Sequence, residues 1–289
     1  MNSPETIAFQ KSFAEKHPEF IDAARRIGEI SNEIFDDSTG PALKEPQIMC
    51  RCFAQTVFNS FYAMTLLTEH GCGADALKIV RSMFESAVVL ASFDHFPNLI
   101  QDFIDFRWIK KMKAITEAKG THREAYIPPE LEQEIKANYD RVLPRFADKN
   151  GNPLSSWFRG SFKDLCTLLD KDSVAMPWAV VHYSDLYRIS SGLMHGDVIG
   201  VESQVDSSGY NAEMPPSDEY ILQALMSGHW AIFWALASYA SIAGLPKAQQ
   251  YGDQLFKGYE AVWGEGSREL EQAKKDFAVY MASDPLNSP

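Results

Sequence analysis

The chain has 289 residues, 45% hydrophobic and 12% aromatic, which is enough apolar material to bury a sizeable core in one large or two small domains. Its 27 basic and 39 acidic residues give a formal charge of −12, which disfavours broad, non-specific binding to nucleic acid or membrane but leaves room for a small local basic site. The four cysteines (Cys50, Cys52, Cys72 and Cys166) form no CxxC, so no zinc ribbon or thioredoxin motif is indicated, and free thiols in a reducing cytoplasm are expected.

The first residues, MNSPETIAFQKSFAEKHPEF, lack a basic stretch followed by an apolar run, so no signal peptide is expected. Residues 5–36 carry Ile7, Phe9, Phe13, Phe20, Ile27, Ile30 and Ile34 at helical rather than alternating spacing. STGPALKEP breaks the chain, and residues 47–69 resume an apolar and aromatic helix. GCGAD marks a turn, and ALKIVRSMFESAVVLASF forms the next helix. Pro97 opens PNLIQDFIDFRWIKKMKAITEAK, in the first turn where its missing N–H costs little. A short charged helix, ELEQEIKANYDRVL, ends at Pro144.

DKNGNPLSSWFRGS is the longest loop-like stretch, followed by helices at about 161–170 and 177–195. VIGVESQVDSSGYNAEMPPSD is a second loop in which VIGVESQV is a candidate short strand. A long helix at 218–243 follows, and the tail is helical around 247–262 and 266–282. The stretch Tyr220–Pro246 carries no formal charge and is long enough to cross a bilayer. Gln223, Ser227, Gly228, His229, Ser238 and Ser241 make it only moderately apolar, so it reads as a buried central helix and no membrane is expected. The class is all-α: a multi-helix bundle with little or no β structure. It divides into an N-terminal helical segment (1–42), a main bundle domain (43–246) and a helical tail packing on the bundle (247–289).

The chemistry-bearing stretch is YSDLYRISSGLMHGD, residues 183–197. Pro177 fits the first turn of its helix, and Gly196 fits the left-handed position that stops one. Tyr187, Ser191 and His195 then share a face, and Arg188 lies two turns before His195, roughly 10 Å along the axis. Exposed carbonyls at a helix C-terminus favour a positive imidazole, which suits His195 to acid–base work. Arg188 can stabilise an anionic oxygen, because guanidinium matches phosphate geometry. The competing reading is a histidine that caps its own helix and an arginine paired with an acid. Upstream, Arg81 and Glu85 stand at i, i+4 on an otherwise apolar helix, as a structural ion pair or a pair that holds something in place.

Three further features have plainer readings. DFRWIKKMK, with Arg107, Lys110, Lys111 and Lys113 around Trp108, reads as a solvated face with its aromatic in the core. Ser161, after Trp157 and Arg159, reads as an N-cap. His229 reads as a hydrogen-bonded core histidine, with no His, Asp or Glu at i+3 or i+4 to build a metal site. No metal or cofactor is expected.

Arg-x3-Glu on an apolar helix, a Trp-containing loop, then Tyr-x3-Tyr-x2-Ser-x4-His-Gly resembles the bacterial helical family catalogued as domain of unknown function 5677. The residues concerned are Arg81 and Glu85, Trp157, then Tyr183, Tyr187, Ser190, His195 and Gly196, and the resemblance spans roughly 45–243. More distantly, Arg188 and His195 with six residues between them are similar to the signature of HEPN domains. That resemblance implies an all-helical homodimer bringing two Arg–His pairs into one cleft, with RNA or a nucleotide as ligand. It implies RNA cleavage without a metal, with His195 and Arg188 catalytic, and a toxin or phage-defence effector is the expected type; Arg81, Glu85, Tyr187 and Ser191 are the candidate binding residues. The alternative is a non-enzymatic binding or interaction module in which the polar residues line a pocket for a small anion or nucleotide.

Overall fold

The computed structural model describes residues 3–37, 40–171, 176, 179–195, 216–218 and 220–283. Side chains are described for these except at 185, 188, 189, 195, 265, 266 and 268–283. The fold is all-α, and among the described residues the β structure is a single isolated bridge between Ala147 and Pro153. The proposed strand VIGVESQV, with Pro177 and Gly196, lies outside the described residues. The chain forms two compact units, residues 1–91 with 178–289, and residues 92–177.

In the first unit, α1 (Pro4–Lys16) and α2 (Pro18–Asp36) meet at His17, where φ −123° and ψ 51° leave the helical region. The cause is Pro18, whose ring disfavours the α conformation in the residue before it. On α2, Phe20, Ala23, Ile27, Ile30 and Ile34 are buried, the spacing of one helical face. Arg25 pairs with Asp22 and Glu29 at 3.1 and 3.4 Å, with all three side chains exposed.

Helix α3 (Glu45–Glu69) ends at His70 and Gly71, and α4 (Gly73–His95) begins two residues later. Gly71 adopts φ +73°, and a Cβ there would lie 2.5 Å from the Pro216 Cα, so only glycine fits. Helix α10 (Ile221–Ile242) packs against α2, α3 and α11 (Ala248–Ser283). It is apolar nearly all round and mostly buried, as a central core helix requires, although its length and composition would also let it cross a membrane. Gly228 sets its approach to its neighbours, because a Cβ there would meet the Met64 side chain at 2.9 Å and Val80 at 3.6 Å.

His229 is the expected core histidine: fully buried, its Nδ1 bonds the Leu225 carbonyl at 2.7 Å and its ring meets Phe61 edge-on at 4.9 Å. Burial pushes its pKa down to about 4, against the smaller effect of its backbone hydrogen bonds. Helix α11 runs through Gly264 and Gly266 without the expected break. Two glycines cost about 2 kcal/mol of helix propensity, a weak term beside a continuous ladder.

In the second unit, α5 (Asn98–Ala118) packs on α6 (Pro129–Val142). Phe106, Trp108, Ile109, Ile115, Ile135, Val142 and Phe146 form its core. Buried Asp105 on α5 accepts from Arg145 and pairs with Arg141 at 3.5 Å. Burial pushes the Asp105 carboxyl up, but hydrogen bonds from Arg145 and Gln101 and the two arginine charges together hold it below the usual carboxylate range.

The long loop is ordered by Asp148, whose Oδ1 accepts from the Asn150 and Asn152 amides at 2.8 and 2.9 Å. Ser161 caps α7 (Phe162–Lys171) as expected. Its Oγ accepts from the Asp164 amide at 3.2 Å, and Asp164 Oδ2 accepts from the Ser161 amide at 2.7 Å, a reciprocal capping box.

Candidate functional site

The polar residues singled out in the sequence converge in the first unit. The expected helix at 177–195 is built in three parts: α8 (Ala179–His182), a π-helical turn over Tyr183–Tyr187, and α9 (Arg188–His195). A π turn admits an extra residue and leaves backbone carbonyls off the regular ladder. Ser190, fully buried, answers this locally, its Oγ donating to the Leu186 carbonyl at 2.7 Å. Despite the altered register, the Tyr183 and Tyr187 rings stack at 4.9 Å with planes 19° apart.

Arg81 on α4 reaches across to this segment. Its Nη2 donates to the Tyr187 hydroxyl at 3.0 Å, and its guanidinium carbon lies 4.4 Å from the centre of the Tyr187 ring. Its Nη1 meets the Met194 sulfur at 3.4 Å. Its Nε stands 3.4 Å from Glu85 Oε1, close enough for an ion pair, yet the angle is too poor for a hydrogen bond and this buried nitrogen has none. The Arg81 side chain is 15% exposed and that of Glu85 43%, so the pair is half-open to solvent.

Met194 is a contact that the sequence did not suggest. Arg81 thus touches residues 187 and 194, seven apart, one at the end of the π turn and one near the end of α9. These are the residues immediately before Arg188 and His195. The backbone of both belongs to α9, where seven residues complete nearly two turns, or roughly 10 Å. Their side chains lie outside those described. Ser191 is half-buried on the same helix.

Beneath the segment, His182 packs 4.3 Å from Trp230 of α10, and Phe84 of α4 stacks on that indole at 5.6 Å. Burial pushes the His182 imidazole down to about 4, so the ring is neutral at pH 7. This floor also escaped sequence reading, because nothing local links residues 84, 182 and 230. Among the described residues no cluster of His, Cys, Asp and Glu is arranged to hold a metal ion.

What the described side chains can do follows from chemistry. A guanidinium carries five N–H donors. Among the described side chains, Arg81 donates to a phenol and to a thioether, a weak acceptor, while its Nε is sealed from solvent. A charge-assisted bond to an anionic oxygen is stronger than one to a thioether. A family model described as a family of unknown function (DUF5677) matches residues 47–212, more than half of the chain. No curated protein and no solved structure matches it.

Proposed function

The chain belongs to that family of unknown function (DUF5677), and on its helical frame we propose a HEPN-like, metal-independent endoribonuclease of the toxin or phage-defence type. Arg188 and His195 are its catalytic pair, and two copies of the chain form the cleft. The observation that carries this reading is the grip of Arg81 on Tyr187 and Met194. Arg81 contacts the residue just before α9 and Met194 near its end, and Arg188 and His195 each follow one of these contacts by one position, with the same seven-residue spacing.

In the proposed reaction, His195 takes the proton of the ribose 2′-hydroxyl as that oxygen attacks the phosphorus. An imidazolium then returns a proton to the departing 5′-oxygen, and Arg188 stabilises the charge on the non-bridging oxygens. The products are a cyclic phosphate and a free 5′-hydroxyl, so no atom or electron is left over. Purified protein should cut single-stranded RNA in EDTA, and His195→Ala and Arg188→Ala should each abolish cutting while circular dichroism is unchanged. Uncut RNA, or both variants at full activity, refutes the reading.

A second reading, a binding module for a small anion or nucleotide, is favoured by the weak acceptor that the exposed Met194 sulfur offers Arg81 Nη1. It predicts that adenosine monophosphate raises the melting temperature of the wild type but not of Arg81→Ala, with no turnover of RNA.

A further inference from the structure

We propose that Met194 is a site of reversible oxidation by peroxide, and that its sulfoxide latches α9 to α4 through Arg81. Met194 is 51% exposed, and among the described methionine side chains it alone is exposed. Met64, Met83 and Met176 are buried, and Met49, Met112 and Met226 are half-buried. A thioether is oxidised where the oxidant reaches it, so of the described methionines Met194 reacts first.

The product has a partner already in place. Arg81 Nη1 stands 3.4 Å from the Met194 sulfur. The rest of that guanidinium is held. Its Nη2 donates to the Tyr187 hydroxyl at 3.0 Å, its carbon lies 4.4 Å from the centre of the Tyr187 ring, and its Nε stands 3.4 Å from Glu85 Oε1. The side chain is only 15% exposed, so Nη1 cannot turn to solvent without giving up these contacts.

In the reaction, a sulfur lone pair attacks one oxygen of hydrogen peroxide. The S–O bond forms as the O–O bond breaks, and the departing hydroxide takes the proton of the transferred oxygen and leaves as water. Sulfur gives up two electrons, and the peroxide accepts them. A thioether is a weak acceptor, whereas the polar sulfoxide oxygen accepts well from a charged donor. The new oxygen brings no net charge, so the ion pair of Arg81 with Glu85 is not opposed. Met194 is unbranched and open to solvent, and its torsions can bring that oxygen to Nη1. Sulfoxides usually loosen a fold by carrying a polar group into apolar packing. Here the sulfur lies outside the core, so the sign reverses and the modified chain is the tighter one. The latch closes one residue before His195, yet it does not rest on RNA cleavage, and its test reads mass and melting.

Full-length protein is treated with hydrogen peroxide, added oxygen is located by fragmentation mass spectrometry, and thermal unfolding is followed before and after. Met194→Leu, treated alike, keeps every other sulfur, the exposed thiol of Cys52 included, and serves as the reference. Met194 should gain one oxygen about tenfold faster than Met64 or Met83. Relative to the reference, oxidation should raise the melting temperature by about 2–4 °C, and methionine sulfoxide reductases of both epimer classes should reverse the gain. Met194→Gln carries a strong acceptor without any oxidant and should melt above Met194→Leu by a similar margin. In Arg81→Leu the gain on oxidation should vanish; if that variant does not fold, the comparison of Met194→Gln with Met194→Leu decides. Oxidation of Met194 no faster than that of the buried methionines overturns the proposal. So does a melting temperature that falls or stays level relative to the reference, or a gain that survives in Arg81→Leu.

Discussion

Arg81 shows how far a single residue can be read. The sequence placed it on an apolar helix with Glu85 one turn on, and the ion pair forms at 3.4 Å. Its more consequential partner, Tyr187, stands 106 positions away, and no local rule links the two. The bond combines a charged donor, a phenol and a cation over the same ring, and Arg81 is largely buried. A double-mutant cycle of Arg81→Lys with Tyr187→Phe, read by chemical denaturation, should therefore give a coupling of about 1–2 kcal/mol. A coupling near zero would mean that the two groups are neighbours without interaction.

The buried histidines make a second prediction at this scale. His182 and His229 titrate near 6.5 in the unfolded chain but only at about 4 in the folded one. Between those values the unfolded state binds more protons. Stability is therefore fully present above about 6.5, falls as the pH drops through the window, and levels off below about 4. Each ring contributes up to about 3 kcal/mol over that range. Melting curves from pH 7 to pH 4.5 should show a steady loss, smaller by about half in His182→Gln, whose side chain carries no titrating group.

Elements were legible where a pattern alone determines them. The apolar face of α2 and the Ser161 cap of α7 each depend on residues a turn apart and are found as read, whereas Pro97 stands at the N-cap of α5, one position before the first turn in which it is expected. The π turn at Tyr183–Tyr187 was invisible, because it arises from how α8 and α9 are held, not from any motif within YSDLY. The break at His17 was readable from Pro18.

The turn from α3 to α4 is the sharpest case. GCGAD announces a turn, but only the packed structure brings Pro216 to within 2.5 Å of where a Cβ at Gly71 would lie. Gly71→Ala meets both a backbone clash and a strained φ of +73°, so it should lower stability by about 2–4 kcal/mol. Gly120→Ala, with a similar φ of +75° and open space around it, should cost only about 1 kcal/mol. Equal losses in thermal denaturation would show that the strain, and not the packing, governs both sites.

At the scale of the molecule, the composition predicted enough core for one large or two small domains, and the chain divides into two units with separate interiors. The first is organised around α10 and holds Phe84, His182, His229 and Trp230. The second is organised by α5 and α6, with a charged centre at Asp105. That carboxylate is buried between Arg145 and Arg141, so Asp105→Asn leaves Arg145 with Asp102 alone, removes the carboxylate that Arg141 meets, and weakens the α5–α6 pairing. Both arginines are half-exposed and stay solvated, so the cost is about 1–2 kcal/mol, the loss of charge-assisted hydrogen bonds to a buried acceptor.

If each unit is stabilised by its own interior, that cost stays local. Amides of α5 and α6 should lose about tenfold in hydrogen-exchange protection, while those of α3 and α10 keep theirs. A uniform loss across all four helices would mean that the whole chain opens as one cooperative body. The Asp105 cluster and the segment around α9 would then share a single stability. A loss confined to the second unit would mean that α5 and α6 open without loosening α9, and that variants of Arg188 and His195 can be read with the second unit left intact.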